Sequence, residues 1–123
     1  MIPTRLEAYR DVAPRGTLEL LVRLAERLRG RRFVHVNASR YGGGSPELLN
    51  RLVPMLQDLG IESAWEVIVG DPEFYAAVRA LEGAAAGREQ AITAGMRRAY
   101  EETAAANSPK LPLDGDLVMI HDL

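Results

Sequence analysis

Three short apolar segments, each separated from the next by at least one helical pattern, most constrain how this chain folds. They are "RFVHVN", "AWEVIV" and "LVMIHDL", which predict strands at about residues 33–37, 64–69 and 117–121. Because a whole helix lies between successive strands, the connections must be crossovers, which join parallel strands. The sequence therefore predicts an α/β fold, a three-layer, Rossmann-like parallel sheet with helices on both faces and strand order 2-1-3.

Capping residues set the predicted starts of the helices. Thr17 is expected to cap the first long helix. Ser45 is expected to cap the second, with Pro46 at its first helical position and Gly60 beyond its last turn. Asp71 and the proline after it repeat this cap-then-proline pattern and are expected to begin a third helix. The segment "GAAAG" is expected to separate that helix from a last, longer helix.

Composition excludes several classes of protein. A length of 123 residues is expected to form one domain. The net charge of −2 comes from 15 basic and 17 acidic residues that are interspersed, so we expect no nucleic-acid partner. The apolar runs are too short to span a membrane, and we expect no membrane partner. The chain has no cysteine, which excludes thiol chemistry and fits a cytoplasmic protein, and no metal site is expected.

A run of three glycines, Gly42, Gly43 and Gly44, lies between the first strand and the helix that follows. Glycine adopts positive φ and lets a ligand approach the backbone, so the run is either a tight turn or a cradle for a phosphate or polar ligand at a helix N-terminus. The dinucleotide fingerprint would need a third glycine in phase, and a P-loop would need a lysine followed by serine or threonine. Neither is present, so a nicotinamide or adenosine-triphosphate site is not supported.

The predicted strand order also indicates where a ligand would collect. In an open parallel sheet, ligands bind at the carboxyl ends of the strands, where the strand order changes direction. That crevice is expected to contain Asn37, the loop of residues 39–44, and His121 with Asp122. The histidine and aspartate could equally be ordinary strand-end residues.

The same segments resemble a known family. "VNASRYGGGSPELLNRLVPMLQDLGIESAWEVIVGDPEF" and the later "DGDLVMIHD" are similar to the N-terminal domain of trehalose synthases of the glycosyltransferring type. These are retaining family-four glycosyltransferases with the two-domain GT-B fold. The preceding "LAERLRGRRFVHVN" resembles the opening helix and strand of that family, so the resemblance extends over about residues 6–122.

The resemblance implies that glucose passes from a nucleoside-diphosphate glucose to free glucose, with retention of configuration, giving trehalose. The N-terminal domain would hold the acceptor sugar, and no cofactor is implied beyond the donor substrate. Gly42, Gly43 and Gly44 match the glycine loop of the family, which approaches the transferred sugar and its phosphates. His121 and Asp122 match a sugar-contacting "HD" pair. No catalytic residue is implied within this chain.

Two hypotheses follow. Under the first, the chain is the incomplete, acceptor-side domain of a glycosyltransferase, and it is inactive without the C-terminal donor domain. Under the second, it is a non-catalytic module that binds a sugar or phosphate for recognition or assembly. Under the first hypothesis the third strand is expected to form an apolar sheet edge through which the isolated chain associates with further copies, whereas a compact monomer would favour the second.

Overall fold

The computed structural model describes Met1 and residues 3–121 of the chain. In chain order its elements are α1 (Thr4–Glu7), α2 (Thr17–Glu26), β1 (Arg32–Asn37), α3 (Gly44–Asp58), β2 (Glu62–Val67), α4 (Pro72–Ala85), α5 (Ala94–Asn107) and β3 (Leu117–Ile120). The predicted alternation of helices and strands is confirmed. Within the described residues, no helix is long and apolar enough to cross a membrane.

The three strands form one parallel sheet with β1 in the middle. Residues 32–37 of β1 run beside residues 62–67 of β2, and residues 33–36 run beside residues 117–120 of β3. The strand order is β2-β1-β3. The predicted Rossmann-like α/β sheet, its order and its central first strand are therefore confirmed.

Two apolar clusters pack the helices against this sheet. The first joins α1, α2 and the end of α3 near the start of β1, and its buried members are Leu6, Leu18, Ala25, Leu59 and Ile61. The second lies just beyond the carboxyl end of β1 and contains Ala38, Phe74 and Val78. Phe74 of α4 stacks on Tyr100 of α5, with ring centroids 5.9 Å apart. The second cluster thus fixes α4 and α5 beside the glycine corner.

The predicted caps of α2 and α3 are wrong, because glycines take both positions. Gly16 precedes α2 with φ 81°, and Thr17 is the first residue of that helix. Gly43 precedes α3 with φ 79°, and neither helix has a side-chain cap hydrogen bond. Both φ values lie in the left-handed region that favours glycine. Ser45 is therefore the second residue of α3 and Pro46 the third.

The second strand begins earlier than residue 64, the predicted start. Gly60 turns the chain with φ 84°, and the Glu62 amide N–H already donates to the Arg31 carbonyl at 2.9 Å. The guanidinium of Arg32 also bonds the Glu62 carboxylate across the two strands. Backbone pairing and this ion pair add residues 62 and 63 to the strand, although both are polar and lie outside the apolar segment that predicted it. The strand ends at Val67, two residues before its predicted end at residue 69.

Candidate functional site

The three glycines of the predicted corner differ in what their backbone requires. Gly42 has φ 74° and Gly43 has φ 79°, both in the left-handed region. Gly44 lacks positive φ and is the first residue of α3. A Cβ atom added at any of the three would meet no heavy atom within 4 Å apart from the immediate chain neighbours and, at Gly44, the backbone of α3 itself. The corner is thus an open surface, and only two of its glycines are required by the turn.

The corner faces α4 across a groove of about 560 Å³. The loop side of this groove is formed by residues 38, 39 and 42–46. The α4 side is formed by Tyr75, Val78, Arg79 and Glu82. One side of the groove is therefore lined by loop backbone and the amino end of α3. The other side carries the cationic Arg79 and the anionic Glu82. The positive end of the helix dipole favours an anionic or strongly polar ligand there.

A partly buried hydrogen-bond network holds the loop that leads into the corner. Asn37, only 1% exposed, donates its side-chain Nδ2 to the Ser39 carbonyl at 2.6 Å. The Trp65 indole donates to Asn37 Oδ1 at 2.8 Å. On the far side, the Tyr75 hydroxyl donates to the Ala38 carbonyl at 3.0 Å. Asn37 lies in the predicted crevice, but both ends of its amide are engaged by the protein.

Two contacts order the exposed part of the loop. The Ser39 hydroxyl donates to the Tyr41 carbonyl at 2.6 Å and accepts from the Tyr41 amide at 3.2 Å. The Arg40 guanidinium carbon lies 4.2 Å from the centre of the Trp65 ring, within the range of a cation–π contact. Trp65 consequently supports the loop through its ring face and its N–H.

His121 lies just beyond β3 and is bound to the central strand. Its amide donates to the Val36 carbonyl at 3.0 Å, which extends the β1–β3 ladder past the end of β3. Its ring Nε2 lies 3.0 Å from Nδ1 of His35, and the two rings are stacked with centroids 5.3 Å apart. Burial, with a smaller contribution from His121, lowers the pKa of His35 below its ordinary value.

The predicted site residues are placed in two locations. Gly42, Gly43 and Gly44 line the groove together, and His121 does not line it but faces His35 instead. Asp122 lies outside the described residues. Within the part of the chain that the structure describes, no group of three or more acidic or histidine side chains could hold a metal ion.

The sequence did not single out the α4 wall of the groove or His35. Tyr75, Val78, Arg79 and Glu82 are spaced i, i+3, i+4 and i+7, so they share one face of the predicted helix. That spacing could have identified the face, though not its position opposite the glycines. The pairing of His35 with His121 depends on the register of strands 86 residues apart.

Fold and corner together define a Rossmann-like α/β domain with an open glycine loop at the carboxyl end of its central strand. The family described as "Trehalose synthase, N-terminal domain" matches residues 35–123. The chain is 38% identical over 120 residues to the trehalose synthases of Thermococcus litoralis and Pyrococcus furiosus, and 35% identical to that of Rubrobacter xylanophilus.

These alignments cover 95–96% of this chain and 29% of each relative. The chain belongs to the trehalose synthase N-terminal domain family. It spans less than a third of the length of the relatives that it matches.

Proposed function

We propose that this chain is the acceptor-side part of a retaining glucosyltransferase. The whole protein would transfer glucose from a nucleoside-diphosphate glucose to free glucose and form trehalose. Membership of the family supports this proposal, as do relatives named trehalose synthase that match nearly the whole chain. Under the proposal, the remaining length of those relatives corresponds to the domain that binds the nucleotide.

The observation that carries the proposal is the open surface at Gly44. The turn explains glycine at Gly42 and Gly43, whose φ values are positive. Neither φ nor crowding explains glycine at Gly44, since its φ is not positive and a Cβ there would meet no heavy atom within 4 Å outside its chain neighbours and the backbone of α3. Close approach of a ligand to the first amide of α3 does explain it.

The groove offers part of what the reaction needs. As the bond between glucose C1 and the diphosphate breaks, negative charge develops on the leaving group and must be stabilised by donors that are already in place. The amino end of α3 and the Arg79 guanidinium can supply some of that stabilisation. An acceptor hydroxyl then bonds to C1 on the face that the diphosphate left and gives its proton to the departing diphosphate, and the configuration is retained.

His121 and Asp122 are proposed to hold the acceptor glucose. His121 follows β3 at the carboxyl edge of the sheet, where the strand order changes direction, and Asp122 is the next residue in the sequence. A carboxylate such as Asp122 can accept hydrogen bonds from two sugar hydroxyls. The groove and this pair would then serve different partners, with the donor phosphates at the glycines and the acceptor near the histidine.

The test is to incubate the full-length polypeptide with glucose and a nucleoside-diphosphate glucose and to measure trehalose. We expect trehalose from the full-length protein and none from residues 1–123 alone. Asp122→Ala should lower transfer at least tenfold without changing donor affinity, as loss of a charged hydrogen bond would. Sugar binding without any transfer by the full-length protein would instead indicate the non-catalytic binding module.

A further inference from the structure

Among the residues that the structure describes, His35 is the only buried ionisable side chain of the three strands. It is on β1, 1% exposed, with Trp65 of β2 and Met119 of β3 at the neighbouring register positions. Its Nδ1 meets Nε2 of His121 at 3.0 Å. Its own Nε2 is buried and has no hydrogen-bond partner among the described residues. A neutral imidazole carries one proton, so these contacts decide which nitrogen holds it.

Two arrangements of protons would satisfy the contact between the histidines. If His121 donated, His35 would carry its proton on Nε2, where the N–H would be buried without an acceptor. If His35 donates from Nδ1, only a lone pair on Nε2 is left without a partner. Orphaned buried N–H groups are rarer in proteins than orphaned acceptors, so the second arrangement is favoured.

We propose that His35 is a positioning residue that fixes the tautomer of His121. His35 donates from Nδ1 to Nε2 of His121, which leaves the His121 proton on Nδ1. That nitrogen has no partner among the described residues, and the His121 ring is only partly buried. It therefore presents an N–H donor, and not an acceptor, to a hydroxyl oxygen of a ligand beside β3.

Burial supports the neutral form that this arrangement requires. His35 lies within the sheet, where desolvation disfavours a charged imidazolium, and its pKa is lowered accordingly. The stacking of the two rings, with 29° between their planes, restricts rotation of the His121 ring. The inference that the presented N–H serves acceptor glucose rests on the proposed function.

The first measurement is independent of activity. Long-range ¹H–¹⁵N correlation spectra of the full-length protein, labelled at histidine, report which ring nitrogen of His121 carries the proton, and a His121→Gln variant assigns its resonances. We expect the proton on Nδ1 in the wild type and a mixture of both tautomers in His35→Leu. A wild-type His121 that is protonated on Nε2 would overturn the proposal.

The second measurement uses transfer kinetics. His35→Leu should raise the KM for glucose about tenfold at an unchanged KM for the donor, the effect of one hydrogen bond. His35→Asn, whose amide nitrogen can replace the Nδ1 donor, should restore the KM and covers the case in which the leucine variant fails to fold. An unchanged KM for glucose in folded His35→Leu would contradict the positioning role. So would a His35→Leu/His121→Ala double variant whose KM for glucose is higher than that of His121→Ala alone.

The two proposals can fail separately. A wild-type protein that transfers no glucose contradicts the proposed function. The nitrogen spectra still decide the tautomer in that case.

Discussion

Trp65 donates its indole N–H to the side-chain oxygen of Asn37 at 2.8 Å, and through it the second strand supports the loop that leads to the glycine corner. Asn37 passes this restraint on by donating to the Ser39 carbonyl at 2.6 Å. Trp65 is also the only tryptophan in the sequence, so its fluorescence reports on this region alone within the chain.

Replacing Asn37 by alanine should destabilise the chain, because the Trp65 N–H would lose its partner inside the protein. We expect the free energy of unfolding to fall by about 2 kcal/mol. Denaturant titration followed by Trp65 fluorescence measures it. Asn50→Ala, at an exposed position of α3, is the control and should change stability by less than about 0.5 kcal/mol. Equal stability of the two variants would show that the network is unimportant.

Asn107 should contribute as much to stability as Asn37, because it attaches α5 to the backbone of Val69 beyond β2. Its Oδ1 accepts from the Val69 amide, and its Nδ2 donates to the carbonyls of Val69 and Thr103, all at 2.8–2.9 Å. Asn107→Ala would leave the Val69 groups without these partners and should lower stability by about 2 kcal/mol. Hydrogen exchange of the Val69 amide would rise in the variant, and wild-type protection there would contradict this role.

Stability should depend on pH through His35. Its pKa is lowered in the folded state, so between that value and about 6.5 the unfolded chain binds more protons. The contribution of the neutral ring is therefore complete above about pH 6.5 and is lost as the pH falls towards the folded pKa. Unfolding measured from pH 7.5 to 5.5 should show this loss in the wild type and a flatter profile in His35→Asn. Parallel profiles would remove His35 as the cause.

The exposed edge of β3 should make the isolated chain associate. Leu117, Val118, Met119 and Ile120 are 36–60% exposed on a strand that pairs on one side only within the described residues. Such an apolar edge is a template for pairing with another strand. On α2 and just beyond its end, four leucines are also 37–44% exposed, namely Leu20, Leu21, Leu24 and Leu28.

Sedimentation of residues 1–123 at tens of micromolar tests this association. We expect oligomers in the wild type and a shift to monomer in Ile120→Lys, since a charge on an edge strand opposes pairing. Leu48→Lys is the matched control at an exposed leucine of α3, 54% exposed, and should still associate. A compact wild-type monomer with a cooperative melt would contradict the prediction.

The sequence predicted the architecture because alternating helix and strand patterns leave few topologies for a chain of this length. It failed at Ser45 and Thr17, where a glycine with positive φ took the cap position that propensity gives to hydroxyl residues. It also missed Thr93, whose hydroxyl caps α5 by accepting from the Met96 amide at 3.1 Å.

The candidate site was predicted only in part, for a related reason. Gly42–Gly44 stand out as a local run, which sequence shows directly. The groove needs α4 opposite them, and the contact between His35 and His121 needs the register of β1 against β3. Both depend on tertiary packing and pairing between distant segments, which local patterns do not encode.

The most direct test of the central claim compares two glycine-to-alanine variants in the full-length protein. Gly44 and Gly95 each lie in the first turn of a helix without positive φ, but only Gly44 lines the groove. Alanine at either site should change stability by no more than about 1 kcal/mol. We predict that Gly44→Ala lowers the kcat/KM for glucose transfer at least tenfold while Gly95→Ala retains wild-type transfer. Wild-type transfer by Gly44→Ala would contradict a ligand at the glycine corner.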